Sequence, residues 1–163
     1  MRARVIGFAG AAILAAAIGW SQTPTPTKLY SSASDVTAMI AKAKAERKPD
    51  QANYVQQILS LAPYNANLEY RVAGVNAAAS VHEKEAEMFF VIDGGGTLVT
   101  GGRLKDEKRT NAENLGGSGI DGGASRRVAK GDFVMVPENT PHWFTGIDGT
   151  LVLMSIHLPR AAK

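Results

Sequence analysis

Cysteine is absent, and histidine occurs only three times in 163 residues. Without cysteine no disulfide can staple the domain, and no lipidated-cysteine anchor can form. A phosphate-cradling glycine loop is missing too: Gly94-Gly95-Gly96 opens a strand pattern, not a helix. Gly117-Ser118-Gly119 lacks the strand-to-helix setting that would aim a serine nucleophile. Basic clusters are also lacking. Of 18 Lys and Arg against 15 Asp and Glu, two (Arg2 and Arg4) lie in the leader-like start, and Lys105 to Arg109 alternates in sign. This near-neutral balance excludes nucleic acid as an expected partner. No internal repeat is visible.

The length leaves room for one domain with a sizeable core. Residues 1–21 read as a secretory signal peptide. Arg2 and Arg4 precede the apolar run Val5 to Ile18, and the small residues Gly19 and Ser21 follow at cleavage-like positions. The run is too short for a membrane span. The expected location is periplasmic or secreted, with no membrane association after leader removal. Residues 22–33 form a Thr/Pro-rich linker, in which Thr23 to Thr27 alternates threonine and proline as a stiff, extended spacer.

The domain is expected over 34–163, with a helix over 34–48 and a barrel over 54–158. Val36, Met39, Ile40 and Ala43 share one helical face, Ser32 or Ser34 can cap the start, and Pro49 stops the helix. This face is expected to pack on the outside of the barrel. From Tyr54 onward short strands alternate with Gly, Pro and Asn punctuation. Met88 to Ile92 is read as ending in a tight turn at Asp93-Gly94-Gly95-Gly96, with Thr97 to Thr100 returning as the next strand. Many short strands after one helix predict an all-β antiparallel barrel or jelly roll. Residues 101–123, rich in Gly, Asn and mixed charge, read as a long excursion, either a cover over the barrel mouth or a solvated loop.

Within this punctuation lies Gly74-x5-Ser80-x-His82-x4-Glu87-x6-Gly94, followed by Gly131-x5-Pro137-x-Asn139-x2-His142. The two halves resemble, in order, the first and second signatures of the cupin superfamily, with one departure: Ser80 stands where the family pattern has its first histidine. The resemblance covers about Gly74 to Gly146 and extends by strand pattern to Leu158. It implies a double-stranded β-helix (jelly-roll) barrel with His82, Glu87 and His142 turned to its interior. Two imidazoles and a carboxylate with open coordination positions suit a divalent metal: Fe, Mn, Zn, Ni or Co. Ser80 is a poor ligand when neutral, so a water is expected in its place.

Ser80, Phe89 and Phe144 are candidates for a pocket lining around the metal. His142 and Phe144 share a strand phase, so Trp143 is expected outside, at a subunit contact. Glu83 and Glu85 flank His82 as alternative ligands, but the interval from Glu87 to Gly94 favours Glu87. His157 is in phase with Leu153 and Ser155 on the last strand, and a lone histidine there reads as a surface or satisfied core residue. Two functions remain open. One is an enzyme acting on a small oxygen-bearing molecule by oxygenase, isomerase or lyase chemistry. The other is a non-catalytic small-molecule binder or dimeric scaffold that has lost its metal. Small proteins of this kind pair through barrel faces, so a homodimer is expected.

Overall fold

The computed structural model describes residues 26–160. The expected leader, 1–21, and the first part of the Thr/Pro segment lie outside them. The remainder of that segment is not a free spacer. Lys28 pairs with Ser60 through Lys28 N–H to Ser60 O (2.8 Å) and Ser60 N–H to Lys28 O (2.9 Å), which lays it along the first strand.

Helix α1 spans Ala33–Glu46. Ser32 is its cap: Ser32 Oγ accepts the Asp35 N–H at 3.1 Å, and the Ser32 N–H donates to Asp35 Oδ2 at 2.8 Å. Residues 47–48, expected inside the helix, lie beyond it. Arg47 is already extended (φ −60°, ψ 130°), and the ring of Pro49 disfavours helical backbone at Lys48. Val36, Met39, Ile40 and Ala43 pack against Ile58, Leu68, Tyr70 and Val152 on the outer face of a sheet.

The strands are β1 (Asn53–Leu61), β2 (Tyr64–Val72), β3 (Ala79–His82), β4 (Glu85–Thr100), β5 (Arg103–Lys105), β6 (Lys108–Arg109), β7 (Asn114–Gly117), β8 (Gly119–Asp121), β9 (Ala124–Ala129), β10 (Phe133–Val136), β11 (His142–Thr145) and β12 (Thr150–Pro159). All pairings are antiparallel. One sheet runs β1-β2-β12-β4-β10, and the other runs β9-β4-β11-β3-β7-β6. The two share β4, whose first half pairs with β12 and β10 and whose second half pairs with β9 and β11. Among the described residues the result is an all-β jelly roll preceded by one helix. Its interior is filled by Phe89, Val91, Leu98, Val128, Val136, Phe144, Leu151 and Leu153, all buried.

Asp93 to Gly96 is not a hairpin turn. β4 continues through it, and Gly94 (φ +74°) is where the strand passes from one sheet to the other. A glycine there lets the Thr150 backbone come against β4, where a side chain would collide with the Thr150 carbonyl. Residues 101–123 are likewise neither a lid nor a solvated excursion. They hold four short strands: β7 extends the second sheet beside β3, and β5 pairs with β8. This segment covers Trp143, which is therefore not at a free outer surface. Trp143 donates Nε1–H to Ala77 O at 2.8 Å and packs against Ala79, Val99, Ile120 and Leu104. Ladder pairing of the segment was invisible in sequence because its strands are only two to four residues long, too short to show an alternating pattern.

Candidate metal centre

Strand alternation turns Ser80 and His82 of β3 to the same face, and Glu87, Phe89 and Val91 of β4 to the interior. β11 lies between β3 and the second half of β4, with His142 opposite both Ser80 and Thr100. The loop before it is pinned to the same neighbourhood. Asn139, at φ +55°, donates its backbone N–H to His82 O at 2.7 Å. The turn residue of the second signature is thus hydrogen-bonded to the histidine of the first.

The convergence is tight. Glu87 Oε2 lies 3.2 Å from His82 Nε2 and 3.1 Å from His142 Nε2, and donor atoms of all three residues fall within 4.8 Å of one another. Glu87 and His142 are 4% and 6% exposed, so the group is shielded from bulk water. The other ring nitrogens are engaged. His82 Nδ1 sits 2.8 Å from Asn114 Oδ1, and His142 Nδ1 sits 3.2 Å from Thr140 O. A carbonyl oxygen can only accept, so each Nδ1 carries a proton and each Nε2 is the ring atom turned to Glu87: protonated, it donates to the carboxylate, and in the neutral ring it presents a lone pair to a cation. Burial alone would push the Glu87 carboxyl up, but the hydrogen bonds to His142 and His82 overcome it and hold it down to about 2. Burial likewise lowers the His82 imidazole, yet its hydrogen bonds to Glu87 and Asn114 leave it above its ordinary value. Without a cation the ionised carboxylate holds protons on the facing Nε2 atoms; a cation that displaces them meets the carboxylate and the Nε2 lone pairs together. His82, Glu87 and His142 are positioned to hold a divalent metal ion, and their donor chemistry fits one.

His157 is brought in as well. Its Nδ1 lies 2.9 Å from Glu85 Oε2, its Nε2 lies 3.4 Å from Glu87 Oε1, and its ring is 4.9 Å from that of His82. The β12–β4 ladder sets it opposite Glu87, and its hydrogen bond to Glu85 makes it a satisfied, half-buried histidine. The signal was its phase with Leu153 and Ser155, both fully buried. Glu83 stays outside, paired with Arg109 at 2.7 Å on the surface. Asn114 had no sequence signal, because only the β3–β7 ladder puts it opposite His82.

A cavity of about 180 Å³ adjoins the cluster, and Ser80, Phe89 and Phe144 line it together with the three histidines and Glu87. Phe89 and Phe144 meet edge to face at 5.0 Å. The rest of the lining includes polar side chains. Arg71 donates Nε–H and Nη2–H to Glu69 Oε2 (3.0 and 2.6 Å), and its guanidinium lies 5.2 Å from the Phe144 ring centre. Asn53 Oδ1, in the same lining, is buried without a hydrogen-bond partner among the described residues. The sequence hint was the polar phase of β2: Asn67, Glu69 and Arg71 alternate with the apolar Ala66, Leu68 and Tyr70.

No protein-family model matches the sequence, and no curated protein does so. Solved structures do match. The DMSP lyase DddQ from Ruegeria pomeroyi superposes with a TM-score of 0.54 at 15% identity, over 86% of this chain and 70% of that one. KdgF from a Halomonas species gives 0.50 at 15% identity, over 71% and 86%. The cupin domain of Schizosaccharomyces pombe Cnp3 gives 0.50 at 13% identity, over 72% of each. At these identities the likeness establishes the fold, which is the cupin fold.

Proposed function

We propose that this cupin-fold chain is an exported metalloprotein that acts on a small oxygen-bearing molecule bound beside His82, Glu87 and His142. One observation carries the reading: a single buried carboxylate oxygen of Glu87 lies within 3.2 Å of two imidazole Nε2 atoms whose protons are committed elsewhere. A bound divalent ion supplies Lewis acidity toward a coordinated oxygen atom, on which isomerase, lyase and oxygenase chemistries all draw.

The chain's own residues supply the rest. Glu87 stays ionised at neutral pH, and Asn114 and Thr140 O hold the two rings in one tautomer. Phe89 and Phe144 make a dry wall. Arg71, steadied by Glu69, offers positive charge to an anionic or hydroxyl oxygen of the substrate, and Asn53 Oδ1 offers an acceptor for a substrate hydroxyl. An apolar cavity of about 150 Å³ admits benzene, so a substrate of roughly that size fits this one.

The leader-like residues 1–21 support export. The exposed Phe133 and Met135, with Phe133 stacked on Phe90 at 4.6 Å, support a homodimer formed through the β10 face.

Elemental analysis of the chain purified from metal-supplemented medium tests the metal reading. About one ion per chain is expected in the wild type, with strong loss in His142→Ala. A metal-free wild type overturns the reading and leaves a binding scaffold.

A further inference from the structure

Ser80 leaves the donor set one imidazole short of the pattern that the chain otherwise resembles, yet the cluster holds three histidines. We infer that His157, on β12, supplies a third imidazole to the ion, from a different strand than the one bearing Ser80. The inference rests on the proposed metal centre and adds a residue to it.

Four observations converge. Along β12, Leu151, Leu153 and Ser155 are buried without measurable exposure, and strand alternation continues that inward face to His157. His157 is the register partner of Glu87 across the β12–β4 ladder, so the two side chains rise side by side from the same sheet face. The Glu85 carboxylate, two residues before Glu87, accepts from His157 Nδ1 at 2.9 Å, which commits the proton to that nitrogen and leaves the Nε2 lone pair free. That Nε2 is 3.4 Å from Glu87 Oε1, while His82 and His142 face Oε2, so the three rings share both oxygens of one carboxylate.

Each ring follows one plan: Nδ1–H on an oxygen acceptor, Nε2 toward Glu87. For His157 the acceptor is a carboxylate, the outer partner that makes a ligating imidazole more basic and fixes its orientation. A histidine kept only for packing has no need of a carboxylate on one nitrogen and a second carboxylate facing the other. The donor atoms of His82, Glu85 and His157 also lie within 4.8 Å of one another. The arrangement favours Glu85 as the outer partner because its oxygen is already hydrogen-bonded to Nδ1. Ser80, opposite His142 on β3, lines the cavity and leaves space there for a substrate atom or water.

The test uses the full chain, stripped with chelator and titrated with Zn²⁺ by calorimetry, with X-ray absorption on the zinc-loaded wild type to count imidazoles. Three imidazoles per zinc are expected. His157→Ala should weaken zinc binding by more than the 10- to 100-fold loss, roughly, that removing an outer-shell partner causes. Glu85→Gln should fall within that smaller range, and Ser80→His added to His157→Ala should recover much of the lost affinity. Two imidazoles per zinc in the wild type, or a His157→Ala affinity within twofold of wild type, overturns the inference while leaving the proposed metal centre standing. Absence of zinc binding by the wild type overturns both. The imidazole count needs no variant, so a misfolded substitution does not decide the outcome.

Discussion

Gly74 and Gly94 bracket the first signature, and replacing each by alanine separates two costs that sequence cannot tell apart. Both have positive φ, +79° and +74°. An L-residue in that region is strained by about 1–2 kcal/mol, and the stiffer unfolded chain returns about 0.4–1 kcal/mol. Around Gly74 an added methyl meets nothing within 4 Å among the described residues, so Gly74→Ala should cost about 1 kcal/mol. At Gly94 the methyl would be driven into the Thr150 carbonyl, 2.8 Å from its carbon and 3.3 Å from Leu151 Cα. Both belong to the backbone and cannot rotate away. β12 must shift where Leu151 pairs with Gly94, and overpacking of this kind adds about 1–3 kcal/mol. Gly94→Ala should therefore cost roughly 3 kcal/mol, a fall of about 10 °C in Tm for a domain of this size, against a few degrees for Gly74→Ala. Urea unfolding of both variants, followed by circular dichroism, measures the difference. Equal losses would refute the claim that close approach of β12, rather than φ alone, requires glycine at 94.

At zinc concentrations near one hundred times its Kd, the wild type should gain about 2.7 kcal/mol of stability; thermal melts with and without zinc check this, and His142→Ala should lose most of the gain. Ser32→Ala should destabilise the fold by about 1 kcal/mol through loss of the α1 cap. The backbone hydrogen bond to Ser32 holds the Asp35 carboxyl below its ordinary value of 3.8, so its contribution is present above that pH and is lost as pH falls through the lower folded value. Melts over that range should show a weaker acid dependence in Asp35→Asn, whereas Ser32→Ala, which keeps the backbone N–H, should retain most of it. Arg71→Met leaves the buried Glu69 carboxylate unpaired and should cost about 3–5 kcal/mol in urea unfolding, with much of it recovered in Arg71→Met/Glu69→Leu. Met135→Glu should shift the chain toward monomer in light scattering if the β10 face joins two copies.

Composition, strand period and the spacing from Gly74 to Gly94 and from Gly131 to His142 were enough to read an all-β barrel with one outer helix. The resemblance of those spacings to the cupin signatures is what singled out His82, Glu87 and His142 as a set. Those features are local: two-residue alternation, a helical face, and turn residues that tolerate particular backbone angles. The meeting of the three side chains is not local. It follows from β4 passing between sheets at Gly94 and from the Asn139 N–H reaching His82 O.

The rest was decided by pairing partners distant in the chain. Asn114 sits 32 residues from the ring it orients, and His157 sits 72 residues from Glu85. Glu69 and Arg71 reach the cavity only because β2 pairs with β12. Periodicity tells which side of a strand a residue occupies, but not which strand lies alongside. That choice is made by the whole core closing at once, so the sequence by itself determined the donors and their facing, and the tertiary structure decided their neighbours.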